Sequence, residues 1–167
     1  MISMFNLEGR VAIVTGGNGG IGLGMAEGLA KAGAKIALVG RNSEKNAQAV
    51  SILEKLGVEV LPIEKDITEP TSGAEIASAT EERFGRIDIL VNNAGSNIRK
   101  RPEDLKPEEF RWVLETNLTS AFLCSQAVYP AMKRAGAGKI INIGSMYSIF
   151  GGVVSTAYSV SKAGIVQ

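Results

Sequence analysis

The chain has 167 residues, 45% of them hydrophobic and only 5% aromatic, with 18 basic and 17 acidic side chains and a net charge of +1. That balance fits one domain with an aliphatic core, excludes a disordered chain, and gives no basis for binding nucleic acid or an anionic membrane surface. The absence of histidine rules out a Ser-His-Asp triad and the common zinc sites, so an acid or base near neutral pH must be Tyr, Lys, Asp or Glu, and no metal site is expected.

Met1-Ile-Ser-Met-Phe5 lacks the charged start and apolar run of a signal peptide, and no stretch approaches the length of a membrane span. The single cysteine, Cys124, excludes an internal disulfide and suits a reducing, cytoplasmic location; its neighbours Phe122 and Leu123 point to buried packing. Short, mostly β-branched runs at 11–14, 36–39, 58–63, 87–91 and 139–143 read as parallel strands covered on both faces. Between the second and third, Ala47, Val50, Leu53 and Leu56 form one face of a helix ending at Gly57. After the third, Thr68 is an expected N-cap, with Ile76, Thr80 and Phe84 as the helical stripe. Pro107-Glu108-Glu109 opens a helical region reaching about Ala135, which Pro130 should kink or divide. The order βαβαβαβαβ, followed by the start of one more helix, makes a doubly wound α/β parallel sheet in a single domain over 1–167.

The first strand runs directly into Thr15-Gly-Gly-Asn-Gly-Gly20-Ile-Gly22. Gly16 permits the tight turn, while Gly20 and Gly22 let backbone approach a pyrophosphate and pack against the strand. Asn18 and Ile21 complete this turn, and the helix it opens offers free N–H groups to phosphate oxygens. The second strand ends in Gly40-Arg41-Asn42, with an arginine and no acid at its tip, which favours the 2′-phosphate of NADP and leaves NAD as second choice. Thirteen residues after Ser145 stands Tyr158-Ser-Val-Ser-Lys162, whose i, i+4 spacing puts phenol and ammonium on one helix face. An isolated phenol titrates near ~10, and an adjacent ammonium stabilises its anion. Tyr158 would take the hydroxyl proton in alcohol oxidation and return it in reduction, while Ser145 holds the substrate oxygen. In Ser96-Asn-Ile-Arg-Lys-Arg101, Arg99 is a candidate partner for a substrate carboxylate, a solvated loop being the alternative.

Thr15-Gly16-x3-Gly20-Ile21-Gly22, Asp66, Asn92-Asn93-Ala94-Gly95, Asn117, Ser145 and Tyr158-x3-Lys162 stand in an order and spacing that resembles the short-chain dehydrogenase/reductase family, compact Tyr-x3-Lys type. The chain is more loosely similar to gluconate 5-dehydrogenase-like and glucose dehydrogenase-like members. The resemblance implies a Rossmann-type sheet, with Asp66 and Ile67 bordering the adenine and Asn93, Ala94 and Gly95 lining the cofactor cleft. It also implies Asn117 as a water-holding relay, Lys162 on the nicotinamide ribose beside Tyr158, and an alcohol or carbonyl substrate of the sugar, sugar-acid or polyol kind. Relatives assemble through the helices after strands four and five, so a homodimer or homotetramer is expected. Plainer readings stand beside these: Asn92 ties strands, Asp66 caps the next helix, and Asn117 bends one. A dinucleotide fold has six strands and only five are legible. The chain is therefore expected to be part of a longer enzyme, truncated after the fifth strand; the other reading is a nucleotide-binding module without efficient catalysis.

Overall fold

The structure, a computed structural model, describes residues 5–167; Met1 to Met4, and with them most of the N-terminal reading, lie outside the described residues. Five strands, β1 (Val11–Thr15), β2 (Lys35–Gly40), β3 (Val60–Glu64), β4 (Ile89–Asn92) and β5 (Lys139–Asn142), alternate with helices. These are α1 (Gly20–Lys31), α2 (Ser43–Glu54), α3 (Ser72–Phe84), α4 (Pro107–Leu114), α5 (Ser120–Arg134) and α6 (Thr156–Val166). All pairings are parallel and the sheet order is β3-β2-β1-β4-β5. The chain reverses its winding between β1 and β4, and a crevice opens at the carboxyl ends of the strands at such a point.

Side-chain alternation along the strands divides the core in two. Ala12 and Val14, Ile36 and Leu38, and Ile89 and Val91 meet Ala26 and Ala30 of α1 and Ala49 and Leu53 of α2. Ile13, Ala37, Val39 and Leu90 face the other way, onto Ile76 of α3 and Cys124, Val128 and Met132 of α5. Both clusters are free of aromatic rings, as the composition implied. Each fully buried Ile, Leu or Val contributes about 1.5–3 kcal/mol relative to exposure. Cys124 belongs to this core, and burial pushes its thiol up to about 11. At the foot of the sheet, Asp88 accepts from the guanidinium groups of Arg10 and Arg86 and from the Val11 N–H, fixing β1 against β4.

Four local expectations need correction. Cover on both faces holds for β1, β2 and β4, whereas β5 is exposed along its length and only Ile63 of β3 is buried. Both are edge strands: α2 and α3 still reach β3, while no residue of β5 belongs to either core cluster. Thr68 caps no helix. It donates through N–H and Oγ1 to Asp66 Oδ1 in a turn, and α3 starts only at Ser72 because Pro70 disfavours helical backbone at Glu69. Helix α5 runs through Pro130 to Arg134, with the proline on the exposed side where water can reach the freed carbonyl. The interruption lies upstream, in a π-helical segment over Glu115–Thr119. On α2, Ala47 points to solvent and Asn46 takes the buried place.

Candidate active site

The glycine turn is shaped by what lies behind it. Gly16 adopts φ +62°, and a Cβ on Gly22 would stand 2.2 Å from the Gly16 oxygen and 2.5 Å from Asn93 Nδ2. Asn93 Nδ2 donates to the carbonyls of Thr15 and Gly16 at 3.0 and 3.2 Å. The Thr15 hydroxyl accepts the N–H groups of Asn93 and Ala94 and donates to the Val91 carbonyl. Thr15 and Asn93 therefore lock the turn to the end of β4. Gly20, at φ +52°, opens α1, whose N-cap has no side-chain bond and whose first turn holds no acid. Its leading N–H groups have no intrahelical partner, and with the dipole they make an anion site. Backbone that only glycine permits, facing free N–H donors, is what a pyrophosphate requires, so the residues present fit a dinucleotide.

In front of the turn lies a cleft of about 180 Å³. Of the residues singled out from sequence, Gly16, Asn18, Gly40, Arg41, Asp66, Ile67, Ala94 and Gly95 line it. Val39, Lys65, Ser96 and Thr116 line it as well and were missed. All four adjoin chosen residues, Thr116 standing next to Asn117, and position alone could have found them. Asn42 does not line the cleft: it caps α2, its Oδ1 accepting the Lys45 N–H at 2.8 Å. Ile21 is 74% exposed at the start of α1.

Arg41 and Asp66, 25 residues apart in sequence, meet with Nη1 3.3 Å from Oδ2. Burial pushes the Asp66 carboxyl up, but the Thr68 N–H and hydroxyl and the Arg41 guanidinium outweigh it and hold it below its usual range. Lys65 is paired with Glu75. Arg41 is more than half exposed, so its pair is worth little in water and can open for a stronger anion.

Tyr158 and Lys162 both lie on α6. Lys162 is 4% exposed, with Nζ 5.7 Å from the Tyr158 ring centroid and donating to the Ile143 carbonyl at 2.5 Å. Burial without a carboxylate partner holds this ammonium below the usual lysine value. The Tyr158 hydroxyl has no hydrogen bond to any described residue, and the ring packs edge-on to Tyr147 at 5.9 Å. Ser145 caps a short 3-10 turn over Met146–Ser148, its Oγ accepting the Tyr147 N–H at 3.2 Å. Asn117 sits inside the π-helical segment and is 1% exposed. Its amide accepts the Ser96 N–H at 2.7 Å and donates at 2.9 Å to both the Ser96 carbonyl and Ser161 Oγ. It thereby ties the loop after β4 to the helix carrying Tyr158. Arg99, in that same loop, is exposed; Asn97 bonds Ser155 Oγ and Lys100 bridges Ser155 beside it. Asn92 donates towards Asn142, Ser125 and the Ala121 carbonyl, tying β4 to β5 and α5.

The family model for short chain dehydrogenases matches residues 10–167. The chain is 39% identical over 161 residues to 3-oxoacyl-(acyl-carrier-protein) reductase FabG of Escherichia coli, covering 96% of this chain and 65% of that protein. It is also 39% identical over 168 residues to 2-dehydro-3-deoxy-D-gluconate 5-dehydrogenase of Escherichia coli, covering 99% and 65%. Among solved structures, an NAD+-bound xylitol dehydrogenase superposes with a TM-score of 0.93 at 34% identity, over 98% of this chain and 63% of that one. The chain thus spans somewhat less than two thirds of the length of the relatives it matches. With the glycine turn, the 3-2-1-4-5 sheet and the Tyr-Lys helix in place, the chain belongs to the short chain dehydrogenase family.

Proposed function

We propose that the protein is an NADP-dependent oxidoreductase that interconverts an alcohol and a carbonyl, with a sugar, sugar acid or related polyol as substrate. The observation that carries this reading is the buried Lys162 ammonium 5.7 Å from the Tyr158 ring, in a chain whose glycine turn fits a dinucleotide. When bound, the nicotinamide supplies or takes up the hydride. Tyr158 then delivers a proton to the carbonyl oxygen in reduction and removes it in oxidation, and Lys162 stabilises the phenolate between the two. Ser145 directs its hydroxyl to the same oxygen and stabilises charge developing there. Asn117 holds the loop after β4 and α6 in register, so that substrate and phenol keep their alignment.

NADP is favoured because the tip of β2 is Gly40, with no carboxylate to repel a 2′-phosphate, and Arg41 stands next to it on the cleft wall. Phosphate, with its higher charge, would draw the exposed Arg41 guanidinium away from its half-buried Asp66 partner. Arg99 is assigned to a substrate carboxylate, its loop being fixed against the start of α6 by Asn97 and Lys100. The 2-dehydro-3-deoxy-D-gluconate 5-dehydrogenase relative supports an acidic sugar. Assembly as a homodimer or homotetramer through the helices after β4 and β5, that is α4, α5 and α6, is consistent with exposed Trp112, Phe122, Tyr129 and Val160. A cytoplasmic location follows from the same reading; no helix among the described residues is long and apolar enough to cross a membrane.

The test is oxidation of NADPH and of NADH against a panel of sugar, sugar-acid and simple carbonyls, for the parent and for Arg41→Ala and Arg99→Ala. Turnover with NADPH preferred, a preference reduced by Arg41→Ala, and a KM for the acid raised by Arg99→Ala support the reading. Nucleotide binding with no turnover on any carbonyl would instead favour a binding module.

A further inference from the structure

Helix α2 buries one amide among alkyl groups. Asn46 is 3% exposed and shares its face with Ala49 and Leu53. An amide there is costly unless its groups are bonded. Its Nδ2 donates to the Gly40 carbonyl at 2.9 Å, and its Oδ1 accepts from Asn18 Nδ2 at 2.7 Å. The direction of this relay is fixed at one end. A backbone carbonyl can only accept, so Asn46 must give its Nδ2 to Gly40 and offer its Oδ1 to Asn18. Asn18 is thereby obliged to present its Nδ2, and its own Oδ1 has no partner among the described residues. Asn18 lines the cleft.

Gly40 stands where a carboxylate in dinucleotide folds accepts the hydroxyls of the adenosine ribose, about 20 residues after the glycine turn. Here a Cβ would lie 2.2 Å from Asn18 Nδ2 and 2.5 Å from Asn46 Oδ1. The relay fills the volume such a side chain needs. We propose that Asn46 is a positioning residue that orients Asn18 so that the Asn18 Oδ1, in place of a strand-tip carboxylate, accepts a hydrogen bond from an adenosine-ribose hydroxyl. This rests on the dinucleotide reading of the cleft. A neutral acceptor also leaves the ribose free to carry an anionic substituent beside Arg41.

The test uses 5′-AMP and its 2′,3′-dideoxy analogue, titrated calorimetrically into the parent, Asn46→Ala, Asn46→Leu, Asn18→Ala and the double variant Asn18→Ala/Asn46→Ala. The parent should prefer AMP by roughly fivefold to tenfold, the effect of about one net hydrogen bond. Both Asn46 variants should bring that preference to within about twofold of unity while leaving the dideoxy analogue's affinity unchanged. Adding Asn46→Ala to Asn18→Ala should change nothing further. An unfolded or merely loosened variant would instead weaken both ligands alike. A second measurement needs no variant: the Asn18 side-chain carbonyl carbon resonance of the parent should shift with AMP and not with the dideoxy analogue. Full AMP preference in folded Asn46 variants, or no AMP-specific shift at Asn18, overturns the proposal and leaves the dinucleotide reading standing. A parent that binds neither nucleotide overturns both.

Discussion

Two glycines on one helix should respond in opposite directions to the same added methyl group. At Gly22 the methyl carbon would stand 2.2 Å from the Gly16 carbonyl oxygen and 2.5 Å from Asn93 Nδ2. Neither neighbour can yield easily: one is backbone in a left-handed turn, the other a side chain held by two hydrogen bonds. Overpacking costs about 1–3 kcal/mol, and each disturbed hydrogen bond costs about 1 kcal/mol more. The gain in helix propensity from Gly to Ala returns about 1 kcal/mol. The net loss for Gly22→Ala is roughly 2 kcal/mol, a fall in Tm of about 4–8 °C for a chain of this size. At Gly28 nothing lies within 4 Å, so Gly28→Ala keeps the propensity gain and raises Tm by about 2–4 °C. Thermal unfolding followed by circular dichroism, with and without NADPH, reads both. The stabilisation by NADPH should persist in Gly28→Ala and shrink sharply in Gly22→Ala. Equal effects of the two substitutions, or a Gly22→Ala protein that melts and binds like the parent, would refute the account of the turn.

Two further outcomes follow from buried groups. Burial pushes the Asp88 carboxyl up, yet its bonds to Arg86, Arg10 and the Val11 N–H prevail and hold it below the usual carboxylate range. A carboxyl depressed by folding stabilises above its unfolded pKa of about 4, and that contribution is lost as pH falls through the folded value. Asp88→Asn should therefore cost about 2–3 kcal/mol between pH 5 and 7, towards the low end for a buried pair because both guanidinium groups are partly exposed. In urea titrations the gap should close below about pH 4, and a gap independent of pH would contradict the assignment. Cys124, with its thiol raised to about 11, should resist a disulfide reagent at pH 8 in the native protein and react at once in denaturant. Rapid native reaction would mean that the α3–α5 side of the core opens readily.

Much of the fold was legible because it rests on local pattern. Aliphatic runs such as Val11-Ala-Ile-Val14 announce strands buried on both faces, and β1, β2 and β4 obey. The same inference fails at β5, whose Ile140 and Ile141 are 40% and 44% exposed, because composition does not say which strand lies at an edge. The Tyr158–Lys162 pair was readable from helical spacing alone. The Arg41–Asp66 contact was not, since it joins the ends of β2 and β3 across the sheet. The π-helical segment was anticipated only as a bend at Asn117, one of the plainer readings of that residue. Its wider turn depends on a shift in backbone bonding, with Thr116 and Ser120 hydroxyls bonding back to Trp112 and Thr116 carbonyls, and a proline drew attention to Pro130 instead. Asn46 illustrates the same limit: a polar residue in a helix reads as surface until the glycine turn and the tip of β2 are brought against it.

The central claim is that Tyr158 moves the proton while the glycine-turn cleft holds the dinucleotide. It is tested most directly by Tyr158→Phe, with NADPH affinity and carbonyl turnover measured on the same sample. Loss of the phenolic oxygen alone should leave the NADPH Kd within about twofold and reduce kcat by about 10²–10⁴, the usual contribution of a positioned acid-base group. Undiminished turnover in the phenylalanine variant would contradict the account.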